Sequence, residues 1–274
     1  MGKTVLGGYP VVKRISTESI MSSSIILERA TYKQILASSY EVAVLPWGAT
    51  EPHNYHLPYG ADIIESQSIA AESARIAEAR GGKIVVLPTI PFGVNTGQMD
   101  FPLTINMNPS TQMALLRDVA ASLEHHGIPK LVLLNGHGGN DFRQMIRELR
   151  PQCKIFLCVV NWYRAVNLKE YFDHPGDHAD EMETSLLLHL APDLVLPLRE
   201  AGEGKEHKMR IPAFREGWAW TPRDWMKVTE DTGTGNPKAA TAEKGKRYFE
   251  AVSDKVGTFL AELSAANLED MYEP

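Results

Sequence analysis

The segment that follows the first apolar run of the chain carries side chains suited to a metal site. Glu51, His53 and Asp62 lie in the turn-rich stretch 48–62, directly after the apolar run 42–46. Imidazole and carboxylate together suit Zn²⁺, Mn²⁺ or Fe²⁺, and the lack of a nearby cysteine excludes a thiolate site. The pattern favours metal binding, and the alternative is that Asp62 caps a helix starting at residue 63.

A second histidine follows another apolar run. Residues 131–134 lead directly into the glycine-rich turn 135–140, which contains His137. Because parallel strands deliver their carboxyl ends to one edge of a sheet, we expect His137 near Glu51 and His53. Glycines on both sides of a histidine let the backbone approach an ion closely. A phosphate-binding loop is the rival interpretation, but the glycine spacing fits no nucleotide fingerprint.

The third cluster is acidic and begins a predicted helix. Residues 177–185 contain His178, Glu181 and Glu183 before the apolar run 186–190. Acidic residues in the first turns of a helix commonly compensate its dipole, which is the simplest interpretation. However, carboxylates this dense repel one another unless some of them face a cation or a proton. We therefore expect a cation near this segment.

With these three segments the chain resembles the creatininase family of metal-dependent amidohydrolases. The family pattern is a Glu-x-His segment with a downstream aspartate, an Asn-Gly-His turn and a His-x-x-x-x-Glu-Thr-Ser segment, all matched here in order. The resemblance covers nearly the whole chain. It implies two divalent cations, Zn²⁺, Mn²⁺ or Fe²⁺. Glu51 and His137 would bind one, His53 would bind the other, Asp62 would bridge the two, and His178 would lie over the substrate.

Two departures from creatininase itself limit what the resemblance implies. Creatininase carries a ligating glutamate two residues after the turn histidine, where this chain has Gly139. Glu181 or Glu183 is then the replacement ligand; we assign Glu181 to the metal and Glu183 to the catalytic site beside His178. Creatininase also has a tryptophan four residues before its substrate histidine, where this chain has His174. Creatinine is therefore not the expected substrate.

The sequence is compatible with three functions, and in each of them the protein binds a small molecule. Two cations that share Asp62 would activate a water to attack a carbonyl, with His178 as proton donor to the leaving group. The first hypothesis is hydrolysis of a cyclic amide or another amide C–N bond. The second is carbon–carbon ring opening of a cyclic polyol diketone, such as 3-dehydro-scyllo-inosose in inositol catabolism. The third is a non-catalytic ligand-binding relative.

The elements that must position these residues alternate along the chain. Predicted strands at 42–45, 83–87, 131–134 and 155–160 are interspersed with predicted helices, among them 63–79, 110–126 and 241–263. This alternation predicts a three-layer α/β/α sandwich with a mainly parallel central sheet. The loop 92–102 follows the second strand. Asn95, Gln98 and Asp100 in it are either substrate contacts or ordinary turn formers.

Length and composition indicate how many domains the chain forms. The 274 residues, 43% of them hydrophobic, predict one domain over 1–274 with a sizeable core. The stretch 198–237 breaks the periodic pattern and is predicted to be a lid or an oligomer contact. Its tryptophans, Trp218, Trp220 and Trp225, would either stack on a ligand or contact a neighbouring subunit. We favour the subunit contact, and the resemblance implies a homo-oligomer such as a hexamer.

Net charge and hydropathy argue against two classes of partner, nucleic acids and membranes. The net charge of −6 argues against a nucleic-acid partner, and no apolar run is long enough to predict a membrane span. Residues 1–8 lack the apolar core of a signal peptide, so a cytoplasmic protein is expected. The spacing of Cys153 and Cys158 is unlike that of a redox or zinc pair, which predicts reduced core residues.

Overall fold

The computed structural model describes residues 25–273, so the expectation about residues 1–8 lies outside the described residues. Its strands are Val42–Trp47 (β1), Ile84–Val86 (β2), Lys130–Asn135 (β3) and Phe156–Asn161 (β4). Its helices are Tyr32–Leu36 (α1), Ala61–Ala79 (α2), Pro109–His125 (α3), Arg143–Leu149 (α4), Glu181–Leu190 (α5), Pro212–Glu216 (α6), Trp225–Val228 (α7) and Ala242–Ala265 (α8).

The strands form one parallel sheet in the order β2-β1-β3-β4. Trp47 at the end of β1 is paired with Asn135 at the end of β3. The chain leaves β1 for β2 on one side and later enters β3 on the other side. The carboxyl ends of β1 and β3 therefore flank the switch point of the sheet, where open α/β folds bind their ligands.

Helices cover both faces of this sheet, which confirms the predicted α/β/α sandwich. All residues of β1 are buried, and successive side chains point to opposite faces because a strand repeats every two residues. Val44 packs with Ile69 of α2 and Tyr248 of α8 on one face. Leu45 packs with Leu116 of α3 on the other. The sheet is therefore packed on both faces by apolar clusters.

The predicted element boundaries are close to the observed ones, and one difference concerns the metal hypothesis. Helix α2 begins at Ala61, so Asp62 lies inside the helix and not before it. The residue before the helix is Gly60, which supplies no side-chain cap. The carboxylate of Asp62 instead lies 3.0 Å from His53 Nε2. The capping alternative for Asp62 is therefore not realised.

The stretch 198–237 is largely irregular and contains the short helices α6 and α7. Its tryptophans have different environments. Trp218 and Trp220 are 76% and 82% exposed, whereas Trp225 is half-buried. Among the described residues, no helix is both long and apolar enough to cross a membrane. Cys153 and Cys158 are free thiols of intermediate burial.

Candidate metal centre

The site is assembled where the ends of β1 and β3 meet the start of α2. Gly48, directly after β1, lies against the helix backbone: a Cβ there would be 2.8 Å from the Ile63 nitrogen and 2.9 Å from the Asp62 carbonyl oxygen. No L side chain has room at this position. The close approach places the Asp62 side chain beside the residues that follow β1.

Carboxylates and imidazoles form one buried cluster at this edge. His53 Nε2 lies 3.0 Å from Asp62 Oδ1. His137 Nδ1 lies 3.0 Å from both Glu51 Oε1 and Asp62 Oδ2. His178 Nδ1 lies 3.7 Å from Glu51 Oε1. The structure thus brings together five of the residues that the sequence predicted for the site, all nearly inaccessible to solvent.

Each imidazole of the cluster is oriented by a backbone carbonyl. The contacts are His53 Nδ1 to the Glu51 oxygen at 3.1 Å, His137 Nε2 to the Val94 oxygen at 3.1 Å and His178 Nε2 to the Pro52 oxygen at 2.9 Å. A carbonyl only accepts, so the contacting nitrogen carries the proton. In the neutral ring the other nitrogen then presents its lone pair to the cluster. This arrangement is typical of histidines that ligate metals.

The donor set fits a cation. Glu51 Oε2 is a buried acceptor without a hydrogen-bond donor among the described residues. Although burial acts to lower it, the Asp62 carboxylate raises the pKa of His53 to about 10. Burial likewise opposes a charge on His137, yet Glu51 and Asp62 raise its pKa well above the ordinary value. The buried carboxylates therefore stabilise positive charge in this site, and bound cations would supply that charge in place of protons.

Three triads within the cluster could each hold an ion, since their ligand atoms all lie within 4.8 Å of one another. They are Glu51, Asp62 and His137; His53, Asp62 and Glu183; and Glu51, His53 and His178. The first two triads share Asp62. That sharing is the geometry expected of a carboxylate that bridges two cations.

Glu181 is turned away from this cluster, although the sequence analysis assigned it to the metal. Its fully buried carboxylate receives Lys244 Nζ at 2.5 Å and the backbone N–H groups of Asp173 and His174 at 3.0 and 2.7 Å. Residues two apart on a helix point about 200° apart. Glu183, two positions on along α5, therefore faces the opposite way and joins His53 and Asp62.

A strained connection sets the start of α5. Ala179 adopts a left-handed conformation with φ of 49°, and its N–H donates to a Glu183 carboxylate oxygen. The next residue, Asp180, caps the helix by accepting from the Met182 and Glu183 N–H groups at 2.9 and 3.1 Å. These contacts fix His178 and Glu183 on either side of a sharp bend, so that both face the cluster.

Asn135 and Asn140 support the site, and the sequence analysis gave neither of them a role. The Asn135 amide donates to the His137 carbonyl at 3.0 Å, and its oxygen accepts from the His137 N–H at 3.2 Å. Asn140 donates to the same Asn135 oxygen at 3.0 Å. The signal available in sequence was an asparagine at each end of the glycine-rich turn. Short amides of this kind commonly close such turns on themselves.

Comparisons with known proteins show which sequences and structures this chain resembles. A model of the creatininase family, described as creatinine amidohydrolase, matches residues 28–260. A mycofactocin precursor peptide peptidase of Mycobacterium tuberculosis is 30% identical, over 83% of this chain and 87% of its own. A creatinine amidohydrolase of Pseudomonas putida is 27% identical, over 84% of this chain and 94% of its own. A solved chain from Bacteroides fragilis, provisionally named creatinine amidohydrolase, has a TM-score of 0.86 at 41% identity and covers 92% of this chain and 100% of that chain.

The fold is a parallel α/β sandwich with a carboxylate–imidazole cluster, the candidate metal centre, at its switch point. Since the family model spans most of the sequence, this chain belongs to the creatininase family of amidohydrolases.

Proposed function

We propose that this protein is a metal-dependent amidohydrolase that cleaves the C–N bond of an amide other than creatinine. The observation that carries the proposal is the pair of ligand triads that share Asp62. Glu51 and His137 would hold the first divalent cation with Asp62. His53 and Glu183 would hold the second, with Zn²⁺, Mn²⁺ and Fe²⁺ all suited to these ligands.

The chain's own residues account for orientation and proton transfer. When bound, divalent cations at such a site supply Lewis acidity toward the carbonyl and lower the pKa of a water. Burial, reinforced by His53, lowers the pKa of His178, so this imidazole is neutral at rest. Its Nε2 is held by the Pro52 oxygen, which leaves Nδ1 facing the cluster. His178 would accept at Nδ1 the proton that the attacking water releases and donate it to the leaving nitrogen.

Glu183 replaces Glu181 in the proposed ligand set. Burial raises the pKa of Glu183 to about 8 in the absence of a cation. A buried carboxylate without a formal counter-ion is costly, and a ligated cation would remove that cost. Glu181 already has its counter-ion in Lys244, so it has no comparable need.

The substrate is proposed to be an amide of peptide-like or formamide type. This chain has His174 at the position where creatininase carries a tryptophan, which speaks against creatinine. The Mycobacterium tuberculosis relative is named a peptide peptidase, which supports a linear amide substrate.

We further propose that residues 1–274 form one domain. The exposed Trp218 and Trp220 would contact a neighbouring copy of the chain.

The test is hydrolysis by the full chain loaded with Zn²⁺ or Mn²⁺, followed by mass spectrometry. The panel contains cyclic amides, formamides, short peptides and cyclic polyol ketones. Ring opening gives one product that is heavier than the substrate by one water, and cleavage of a linear amide gives two products whose masses together exceed that of the substrate by one water. His178→Ala should retain metal and lose about 100-fold or more in kcat. Hydrolysis confined to cyclic ketones would replace C–N with carbon–carbon cleavage. Metal binding without any turnover would favour the non-catalytic relative.

A further inference from the structure

Residues 205–228, called the flap here, contact the candidate metal centre through one aromatic side chain. The Trp225 ring stands edge-on to the His178 ring, with centroids 5.0 Å apart and planes at 67°. The Arg223 guanidinium lies 5.4 Å from the centre of the same Trp225 ring. The indole thus contacts both a cation and the imidazole proposed to transfer the proton.

Few contacts fasten the flap at this point. Arg223 forms an ion pair with Asp177, the residue before His178. The flap backbone also rests on Gly97, where an added Cβ would collide with the Arg223 carbonyl oxygen and lie 3.1 Å from Trp225 Cδ1. Most other side chains of the flap are exposed. Since so few interactions hold it, this segment can open more readily than the core.

The turn beneath the flap presents polar groups that still require a partner. Asn95 is 2% exposed; its Nδ2 donates to the Ile105 and Thr50 carbonyls at 3.0 and 3.4 Å. Those two bonds fix the amide orientation, yet Asn95 Oδ1 has no donor among the described residues. Gln98 Oε1, in the same turn, is also buried without a donor. Buried acceptors of this kind are normally satisfied, so both suit the N–H groups of a ligand.

Space above the centre is limited while the flap is in place. Glu51, His178 and Glu183 are each at most 8% exposed. A bulky group next to the scissile bond therefore has no room unless Trp225 moves. A flat amide would require a smaller displacement of Trp225 and could donate hydrogen bonds to the Asn95–Gln98 turn.

Building on the proposed amidohydrolase function, we propose that Trp225 is a specificity-determining residue. It closes over His178 and, with the Asn95–Gln98 turn, restricts the acyl side of the substrate to small planar amides. The flap opens to admit the substrate, and the indole then positions it against the reacting groups.

The first experiment compares Trp225→Ala with Trp220→Ala, a matched control in the same segment whose indole is 82% exposed. Both metal-loaded variants are assayed with acetyl and benzoyl p-nitroanilides. Trp225→Ala should raise the benzoyl-to-acetyl ratio of kcat/KM by roughly tenfold or more, mainly through KM. Trp220→Ala should leave this ratio unchanged. Equal ratios in the two variants would overturn the assignment.

The second experiment needs no turnover. Gly97→Ala should displace the flap while keeping Trp225, so trypsin should cut the flap of this variant several-fold faster than the wild type. Trp225→Ala should show the same acceleration, and Trp220→Ala should not. Wild-type cleavage rates in both flap variants would overturn the closure. If the wild type hydrolyses no amide but the tryptic rates change as expected, the proposed function fails and the flap closure over His178 stands.

Discussion

At the scale of the residue, the candidate metal centre depends on the hydrogen bond that each imidazole makes through the ring nitrogen facing away from the cluster. Backbone carbonyls fix the protons of His53, His137 and His178, so the opposite ring nitrogens face the carboxylates. The carbonyl that orients His53 belongs to Glu51, which is itself in the cluster. A backbone shift at this residue would therefore displace two proposed ligands together.

The assignment of Glu183 as a ligand is tested by comparison with Glu181. Glu183→Gln should weaken metal binding by about 10- to 100-fold, because a carboxylate is lost from the His53–Asp62 triad. Glu181→Gln should keep the metal content, because its carboxylate serves Lys244 and backbone amides. The measurement is elemental analysis of each variant after dialysis against a weak chelator. Metal loss in Glu181→Gln alone would contradict the assignment.

Ala179 carries strain beside the site, and a single substitution would relieve it. Its φ of 49° costs an L residue about 1–2 kcal/mol that glycine avoids. Ala179→Gly should therefore raise the free energy of unfolding by about 1 kcal/mol, measured by urea denaturation. Ala179→Val is the opposite control, because a β-branched residue tolerates this conformation less well. Destabilisation of the glycine variant would show that Ala179 is held without strain.

At the scale of the element, periodicity and turn chemistry were enough to predict the sheet, the helices on both faces and the strand ends that carry Glu51 and His137. The order of the strands was not predicted, because a run of buried residues does not identify its neighbour. The choice between Glu181 and Glu183 as a ligand is not decided at this scale either. Both lie in the first turns of α5, and only the packing of that helix decides which carboxylate faces the cluster.

The environments of the tryptophans in the flap could not be predicted from the sequence either. Trp218, Trp220 and Trp225 carry equivalent signals in the sequence, and the sequence analysis favoured a subunit contact for all of them. The structure separates Trp225, which contacts His178, from the two exposed rings. That separation depends on Gly97, a residue distant in sequence whose missing side chain admits the flap backbone. Local patterns do not contain such pairings.

Lys244 connects α8 to the segment that begins α5. Its Nζ contacts the buried Glu181 at 2.5 Å and the exposed Asp173 at 2.7 Å. Lys244→Met should destabilise the fold by about 2 kcal/mol, because Glu181 would remain buried without its counter-ion. Lys246→Met on the same helix breaks only an exposed pair with Glu250 and should cost about 0.5 kcal/mol or less. Equal losses in urea denaturation would remove Lys244 from this role.

At the scale of the whole molecule, the candidate metal centre would couple cation binding to the stability of the fold. β1, β3, α2 and α5 each bring a residue or a flanking segment to the cluster. Without cations, their convergence buries several carboxylates whose charge is offset by protons on His53 and His137. Cations compete with those protons for the imidazoles. Metal affinity should therefore fall as the pH is lowered.

The thermal stability of the full chain measures this coupling. A cation that binds only the folded state, at 100 times its dissociation constant, stabilises it by about 2.7 kcal/mol. For a protein of this size that corresponds to a rise in Tm of about 5–10 °C. Asp62→Ala should abolish the rise, because both proposed triads lose their shared ligand. Asp193→Ala, at an exposed aspartate that belongs to none of the proposed triads, should retain it. A metal-dependent rise that survives in Asp62→Ala would mean that cations stabilise this fold from somewhere other than the carboxyl ends of β1 and β3.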